Sequence, residues 1–133
     1  GRIVKVEVGL LERLLSEGYI AVVAPIAVDN EGTLLNVDGD QATLKIAAAI
    51  KASKTILLTD VEGLLVDGSI VRKLTPEEAR NILPKIGPGM NRKILEAIEA
   101  VEEGASEVII AMGLTENPVR KALENPGTRI AKD

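Results

Sequence analysis

Apolar and polar positions follow three different patterns in the first part of the chain. Residues 2–8 (RIVKVEV) alternate between polar and apolar side chains, which predicts a half-buried strand. Four leucines between residues 10 and 15 then recur at helical spacing, and Gly18 follows where that helix would end. The apolar run at 19–28 (YIAVVAPIAV) is continuous and rich in β-branched residues. Such a run is typical of a central strand covered on both faces in a parallel sheet.

The middle of the chain alternates strand and helix signals. The turn residues at 29–32 (DNEG) separate that run from TLLNV at 33–37, which is expected to pair back as a short hairpin arm. Strong helix formers at 41–53 (QATLKIAAAIKAS) are apolar nearly all round, which predicts a helix packed into the interior. Residues 54–66 (KTILLTDVEGLLV) read as a buried strand that ends at TDVEG, and Asp67 with Gly68 predicts a hairpin turn into the following segment.

Two further helices have clear end signals. Residues 75–78 (TPEE) combine a capping threonine, a proline at the first helical position and acidic residues in the first turn, with an end expected near Leu83. After the glycine-rich GPGM at 87–90, an apolar stripe between 94 and 101 lies opposite four glutamates. Gly104 is the expected terminator of this helix.

The last elements complete an alternating α/β pattern. EVIIAM at 107–112 predicts a short strand, Asn117 and Pro118 begin a last helix, and GTRIA at 127–131 predicts a final strand. Strands that alternate with helices favour a three-layer α-β-α sandwich with a mainly parallel sheet plus short hairpins. Because no linker, repeat or low-complexity tract is found, a single domain is expected over residues 1–133.

Composition narrows the chemistry that this domain can perform. The chain has no Cys and no His, so thiol and imidazole catalysis are excluded, and Asp, Glu, Lys or backbone groups must carry any reaction. Tyr19 is the only aromatic residue, so an aliphatic core is expected. The net charge of -4 argues against a nucleic-acid partner. No membrane partner is expected and a cytoplasmic location is the default, since neither a bilayer-spanning run nor a signal peptide is present.

Three loops hold polar residues that periodicity does not explain. They are NVDGDQ at 36–41, TDVEGL at 59–64 and GPGMNRK at 87–93. Loops of this kind line the ligand crevice in open α/β sheets. In the third loop, backbone N–H groups at a helix start would hold phosphate oxygens, and Lys93 would add a positive charge. No Walker or dinucleotide-binding fingerprint is present.

Each of these residues also has an ordinary structural explanation. Asp38 and Asp40 stand at a helix start, where acidic residues are caps and dipole partners more often than catalytic groups. Glycines are commonly turn residues, a lysine is commonly a solvated surface group, and an asparagine commonly bonds to nearby backbone. The residues concerned are Asn36, Thr59, Asp60, Gly87, Gly89 and Lys93. Only their grouping in three loops at one sheet edge favours a ligand site.

Several strings together resemble a known family. GYIAVVAPIAV, NVDGDQ, TILLTDVEGLL, LTPEEA, GPGMNRKILEAIEAV and ENPVRKAL occur in the order and approximate spacing of the C-terminal half of the amino-acid kinase family, which includes acetylglutamate kinase. The resemblance covers essentially the whole chain. NVDGDQ and GPGMNRK are most similar to the branch that phosphorylates the side-chain carboxylate of aminoadipate or glutamate held on an amino-group carrier protein, in lysine and arginine biosynthesis.

The resemblance implies a role for individual residues. Asn36 matches the asparagine that binds the amino-acid substrate, Asp40 the aspartate that organises the catalytic lysines, and Lys93 the lysine that stabilises the transferring phosphoryl group. The residues implied to bind nucleotide are Thr59, Asp60, Val61, Glu62, Gly63, Leu64, Leu65, Lys85, Ile86, Gly87, Gly89 and Met90. The implied cofactors are ATP and a Mg²⁺ ion bound through the nucleotide phosphates, with no dedicated protein metal site.

The sequence also departs from the family pattern. The N-terminal substrate domain, with its first catalytic lysine and Gly-Gly loop, does not precede Gly1, and Met112 with Gly113 replaces an Asp-containing turn of many members. We therefore expect an excised or engineered half that binds nucleotide with little turnover. It is expected to be monomeric or to pair as a homodimer, with the carrier protein as partner only of the full enzyme. The alternatives are a designed or minimised scaffold without a specific ligand, and a regulatory amino-acid-binding module.

Overall fold

Five helices and eight strands make up the fold, and the computed structural model describes all residues from 1 to 133. A short 3-10 turn at Leu83–Lys85 separates the third and fourth helices. In chain order the elements are α1 (Val8–Ser16), β1 (Ile26–Val28), β2 (Leu34–Asn36), α2 (Gly39–Ala49), β3 (Thr55–Thr59), β4 (Leu65–Val66), β5 (Ser69–Ile70), β6 (Lys73–Leu74), α3 (Pro76–Ile82), α4 (Pro88–Glu103), β7 (Glu107–Met112), α5 (Pro118–Glu124) and β8 (Thr128–Ala131).

One four-stranded sheet with the order β3-β7-β8-β6 forms the centre of the molecule. β3 runs parallel to β7, with Thr55 opposite Val108, and β6 runs parallel to β8. Within this sheet, only β7 and β8 are antiparallel to each other. β1 with β2 and β4 with β5 form two separate antiparallel hairpins. The sheet is therefore mainly parallel, as the alternation of helices and strands predicts.

Helices cover both faces of this sheet. Residues of α2, α3 and α4 share the main apolar cluster with β3, β7 and β8, and Ile94 and Ile98 of α4 are fully buried in it. On the other face, Ala122 of α5 packs with Ile109 and Ala111 of β7. Side chains on alternate positions of β7 point to opposite faces, so this one strand contributes to both clusters. The predicted three-layer α/β architecture is confirmed, and its core is aliphatic.

The turn and the helix ends that the sequence predicts at residues 67–68, 75 and 104 are also confirmed. Asp67 and Gly68 both adopt positive φ angles, of 50° and 80°, in the turn between β4 and β5. Thr75 caps α3 in a capping box with Glu78, in which each side chain accepts a backbone N–H of the other residue. Gly104 ends α4 with a φ angle of 142°. No helix combines the length and the hydropathy that crossing a bilayer requires.

Two strand predictions near the start of the chain are wrong. Residues 2–7 form no regular element, and in the run at 19–28 only Ile26–Val28 becomes a strand. Ile20 and Val22 are 91% and 95% exposed instead of buried. A β-branched apolar run favours the extended conformation, but a strand exists only where a neighbouring strand accepts its hydrogen bonds. None of the other strands of the chain pairs with residues 19–25.

Candidate functional site

The topology gathers the polar loops at one edge of the sheet. α2 leads into β3 and α4 leads into β7, and these two strands are parallel neighbours. Because each helix packs back along the strand that follows it, the first turns of α2 and α4 lie near the carboxyl ends of β3 and β7. A backbone hydrogen bond of 2.7 Å from the Gly113 N–H to the Thr59 carbonyl joins these two strand ends.

Asp40 and Lys93 form an ion pair that links the two helices. Asp40 is the second residue of α2, and its carboxylate accepts a hydrogen bond from the Lys93 ammonium in the second turn of α4. The side chain of Lys93 is only 19% exposed and that of Asp40 is 37% exposed, so the pair is partly shielded from water. The structure thus brings together the two residues for which the sequence resemblance implies a catalytic role.

Asp38 has the capping role that its position at a helix start indicates. Its carboxylate accepts hydrogen bonds from the backbone N–H groups of Asp40 at 2.9 Å and Gln41 at 3.1 Å. The bond from Gln41 is the main cause that lowers the pKa of Asp38, and the positive charge of Arg92, 3.8 Å away, acts in the same direction. Asp38 therefore fixes the first turn of α2, from which the Asp40 side chain extends.

The first turn of α4 lacks the side-chain cap that α2 and α3 possess. Gly87 stands at its cap position with an ordinary φ angle of -64°, and no side chain accepts a hydrogen bond there. The backbone N–H groups of Gly89 and Met90 have no partner within the protein. A Cβ atom added to Gly87 or Gly89 would meet nothing within 4 Å. Free donors, open space and the positive end of a 16-residue helix make this turn suited to an anionic group.

A contact that the sequence does not reveal holds this turn in place. The side-chain amide of Asn91 donates a 2.7 Å hydrogen bond to the backbone carbonyl of Leu83. It thereby ties the 3-10 turn, which ends at the exposed Lys85, to the body of α4. Arg92, which contacts Asp38, is the other neighbour that sequence reasoning missed. The only signal for either residue is its position within GPGMNRK, between the glycines and Lys93.

The stretch from Thr59 to Leu65 is anchored by Thr128. The fully buried Thr128 hydroxyl accepts a 2.7 Å hydrogen bond from the Leu64 N–H and donates one of 2.7 Å to the Val71 carbonyl. A Cβ atom at Gly63 would lie 2.8 Å from the same hydroxyl, so only glycine fits there. No sequence signal identifies Thr128, because a threonine in a short strand is an ordinary strand residue whether or not its hydroxyl makes long-range hydrogen bonds.

The predicted nucleotide residues do not all lie in one place. The side chain of Leu64 is buried in the main apolar cluster, against which the half-buried Ile86 and Met90 also pack, so the two predicted stretches share this support. The Thr59 hydroxyl donates to the Asp60 carboxylate at 3.1 Å. Glu62 differs, since it lines an open groove of about 460 Å³ beside α5 that none of the other predicted residues reaches.

Three further predicted residues, Val61, Leu65 and Asn36, lie outside the contacts described so far. Val61 is half-buried, and Leu65 is exposed at the start of β4. Asn36 ends β2 and is exposed, and its backbone carbonyl accepts a 2.5 Å hydrogen bond from the amino group of Gly1. The Asn36 side chain itself bonds neither to Asp40 nor to Lys93. No group of three or more Asp and Glu side chains is placed to hold a metal ion.

Fold and site together define a member of the amino acid kinase family. The model of that family matches residues 1–112, and the chain belongs to it. The chain is 50% identical to the LysW-aminoadipate/LysW-glutamate kinase of Sulfolobus acidocaldarius over 131 residues, which are 98% of this chain and 50% of that protein. The corresponding kinase of Sulfurisphaera tokodaii is 51% identical over 131 residues, again with 98% and 50% coverage. The chain thus spans about half the length of these relatives.

Solved structures of more distant proteins share the fold. N-acetylglutamate synthase from Neisseria gonorrhoeae, complexed with coenzyme A and N-acetyl-glutamate, superposes with a TM-score of 0.92 at 28% identity, over 100% of this chain and 32% of that one. Carbamate kinase from Giardia lamblia, bound to AMP-PNP, superposes with a TM-score of 0.75 at 24% identity, over 96% of this chain and 45% of that one. At that identity, the second comparison supports the fold alone.

Proposed function

We propose that this chain is the nucleotide-binding half of a kinase that transfers the γ-phosphate of ATP to the side-chain carboxylate of carrier-linked aminoadipate or glutamate. The observation that carries the proposal is the ion pair of Asp40 and Lys93 beside the uncapped first turn of α4. Relatives that are about 50% identical over nearly the whole chain and carry that activity in their names support the choice of acceptor.

Lys93 and the first turn of α4 would act on the phosphates. The ammonium of Lys93 is held by Asp40 in a partly buried position, where its charge is less screened than on an open surface. The free N–H groups of Gly89 and Met90 would donate to phosphate oxygens. Both contributions strengthen as negative charge develops on the transferring group, which is how positioned donors lower a barrier.

Asp40 would orient the lysine and would not remove a proton. A substrate carboxylate is already an anionic nucleophile, so forming an acyl phosphate needs no strong general base, and the absence of histidine is no obstacle. We assign Asn36, exposed at the end of β2, to the acceptor side of the reaction because the family resemblance implies that it binds the amino-acid substrate. The stretches from Thr59 to Leu65 and from Lys85 to Gly87 would contact the nucleoside.

The carboxylates of this chain are compatible with a metal ion that is held by the nucleotide and not by the protein. The Asp40 carboxylate is engaged with Lys93, and no group of three or more carboxylates is placed to hold a metal ion. A Mg²⁺ ion bound through the nucleotide would supply further charge neutralisation during phosphoryl transfer. Since the relatives are about twice as long as this chain, we propose nucleotide binding with little turnover here, with the carrier protein as partner of a complete enzyme.

Calorimetric titration with Mg-ATP and Mg-ADP tests this proposal. The Lys93→Ala change is expected to weaken nucleotide binding by about tenfold or more, since it removes a charge-assisted contact to phosphate. Lys45→Ala is the matched control, because the Lys45 ammonium also links α2 to α4, through Glu103 at 2.7 Å. This control should change affinity by no more than about twofold. Absence of saturable binding at millimolar nucleotide, or equal effects of both changes, would contradict the proposal and favour a scaffold without a specific ligand.

A second variant separates stability from binding. Gly87→Asp places a carboxylate at the empty cap position of α4, where an added Cβ atom would meet no other atom within 4 Å. The new cap should raise the free energy of unfolding by about 0.5 kcal/mol. The same carboxylate should compete with and repel nucleotide phosphates, so Mg-ATP affinity should fall. Unchanged affinity in a stabilised variant would exclude this turn as the phosphate site.

A further inference from the structure

The turn between α5 and β8 crosses closely beside the stretch from Thr59 to Leu65. A Cβ atom added to Gly127 would overlap the backbone carbonyl oxygen of Glu62 and would lie 2.5 Å from that of Ile110. On the other side of the crossing, a Cβ atom at Gly63 would lie 3.0 Å from the backbone carbonyl carbon of Gly127. Both glycines are buried. The two backbones are therefore in direct contact, and neither glycine position has room for a side chain.

The hydroxyl of Thr128 completes the base of the β4–β5 hairpin. Leu65 lies opposite Ile70 in this hairpin, so the next pair outward is Leu64 with Val71. In a hydrogen-bonded antiparallel pair, the two residues exchange both of their N–H···O bonds. Here the Val71 N–H donates directly to the Leu64 carbonyl at 2.9 Å. The Thr128 hydroxyl replaces the second bond, because it accepts from the Leu64 N–H and donates to the Val71 carbonyl, each at 2.7 Å.

Thr128 and the stretch from Thr59 to Leu65 depend on each other for hydrogen bonding. Thr128 is fully buried, and a buried hydroxyl is costly unless it has partners. Both of its side-chain partners lie outside its own strand. A movement of Leu64 away from β8 would therefore leave the Leu64 N–H and one side of the hydroxyl unpaired in the interior. A 3.0 Å hydrogen bond from the Arg129 N–H to the Arg72 carbonyl continues this contact along β8.

The position of Leu64 also determines how the stretch lies relative to the first turn of α4. The Leu64 side chain is buried in the apolar cluster against which Ile86 and Met90 pack. Lys93, by contrast, is held by its ion pair with Asp40, between α4 and α2. The contacts of Thr128 thus bear on the proposed nucleoside side of the site and leave the proposed phosphate side to a separate pair of residues.

We propose that Gly127 and Thr128 are positioning residues that hold the stretch from Thr59 to Leu65 in the conformation that receives the nucleoside of ATP. This role rests on the proposed function, in which that stretch contacts the nucleoside. Both residues lie beyond the part of the chain, 1–112, that the family model matches. Gly127 admits the close crossing and Thr128 fixes Leu64, so both act through the stretch and not by touching the nucleotide. A segment that adopts its binding conformation only part of the time lowers the affinity by that fraction.

Titration calorimetry with two ligands separates this role from a general loss of stability. The ligands are Mg-ATP and inorganic tripolyphosphate with Mg²⁺, which shares the phosphates but has no nucleoside. Thr128→Val should weaken Mg-ATP binding by about tenfold and tripolyphosphate binding by no more than about twofold. Thr128→Ser keeps the hydroxyl and should retain Mg-ATP affinity within about twofold of the wild type. Lys93→Ala should weaken the binding of both ligands, because it acts on the phosphates.

Thr55→Val is the matched control for Thr128→Val. It makes the same chemical change at another buried threonine of the sheet, whose hydroxyl has no hydrogen-bond partner. Both ligand affinities should therefore stay within about twofold of the wild type. If Thr55→Val weakened Mg-ATP binding as much as Thr128→Val does, the loss would come from altered packing of the sheet and the proposed role of Thr128 would be wrong.

Hydrogen exchange measured by NMR tests the same role without nucleotide. The Leu64 amide should be protected in the wild type and in Thr128→Ser, and it should exchange at least about tenfold faster in Thr128→Val, because that variant removes its only acceptor. The Gly113 amide, which bonds to the Thr59 carbonyl, should not change relative to the amides of β7, which report global unfolding. Unchanged exchange at Leu64 would overturn the positioning role whatever the affinities are.

The outcomes for this role and for the proposed function are distinguishable. Equal losses of Mg-ATP and tripolyphosphate affinity in Thr128→Val, or a Thr128→Ser variant as weak as Thr128→Val, would overturn the positioning role while nucleotide binding by the wild type still supports the proposed function. A wild-type chain without saturable Mg-ATP binding would contradict the proposed function itself, and the positioning role with it. Only that last outcome is read from the unaltered chain.

Discussion

Residues 1–36 and residues 37–133 have similar apolar patterns but opposite degrees of burial. The most N-terminal buried residue is Val37, so the first region contains no buried residue at all. Its helix α1 has leucines on one face and buries none of them, whereas α2, only two residues longer, buries Leu44 and two alanines. The two helices differ in whether another element packs against their apolar face. α2 packs on α4 and β3, and no element of the chain covers α1. An amphipathic face contributes to stability only where another face meets it.

The largest expected effect comes from a core side chain compared with an exposed one. Ile98→Ala removes a fully buried side chain between α4 and the sheet, and we expect it to lower the free energy of unfolding by about 2 to 5 kcal/mol. Leu10→Ala in α1 should change it by no more than about 0.5 kcal/mol, because that side chain is 68% exposed. Urea denaturation of both variants measures the difference. A comparable loss for Leu10→Ala would mean that α1 is covered after all.

The contrast between the two regions also explains which features the sequence could reveal. Signals that act within a few residues were predicted correctly: the cap at Thr75, the turn at Asp67 and Gly68, and the end of α4 at Gly104. Each of them depends on the conformational preference of the residue itself. Whether residues 19–28 are buried or exposed could not be predicted in this way. An apolar β-branched run has the same local preference whether or not a second strand is available to cover it.

The candidate site also contains some features that the local sequence predicts and others that it does not. Asp38 as a cap follows from its position before a helix, but the pairing of Asp40 with Lys93 joins residues 53 positions apart and was expected only from the family resemblance. The hydrogen bonds of Thr128 join residues 57 and 64 positions apart, and nothing in its short strand predicts them. Contacts of this range depend on the packing of whole elements, which local periodicity does not encode.

A comparison of two buried threonines should give the next largest effect. Thr128→Val keeps the side-chain shape but leaves the Leu64 N–H and the Val71 carbonyl without their partner, so a loss of about 2 kcal/mol is expected. Thr55→Val should be neutral or slightly stabilising, because the buried Thr55 hydroxyl has no hydrogen-bond partner. Denaturation with urea again gives the values. If the two substitutions had equal effects, hydrogen bonding by Thr128 would not be what anchors the stretch from Thr59 to Leu65.

The smallest expected effect lies next to the junction of the two regions, where the exposed Asp38 caps α2. Asp38→Ala should lower the free energy of unfolding by about 1 kcal/mol at neutral pH, since it removes the cap of α2. The pKa of Asp38 is lowered in the folded protein, first by the hydrogen bond from Gln41 and further by the charge of Arg92. A lowered folded pKa means that the ionised carboxylate stabilises the fold fully above the pKa of the unfolded chain, near 4, and loses this effect as the pH falls through the folded pKa.

The pH dependence of unfolding can therefore separate the charge of Asp38 from its hydrogen bonds. Asparagine is also a good cap, so Asp38→Asn should retain most of the stability at neutral pH while it removes the titrating group. The difference in unfolding free energy between wild type and Asp38→Asn should be constant above about pH 5 and should shift in favour of the variant as the pH falls below 4. Urea denaturation of both proteins between pH 3 and 7, the range on either side of the unfolded pKa, measures it. A difference that stays constant through this range would mean that the ionised form of Asp38 receives no extra stabilisation in the fold, and that the geometry of its two backbone hydrogen bonds accounts for the cap.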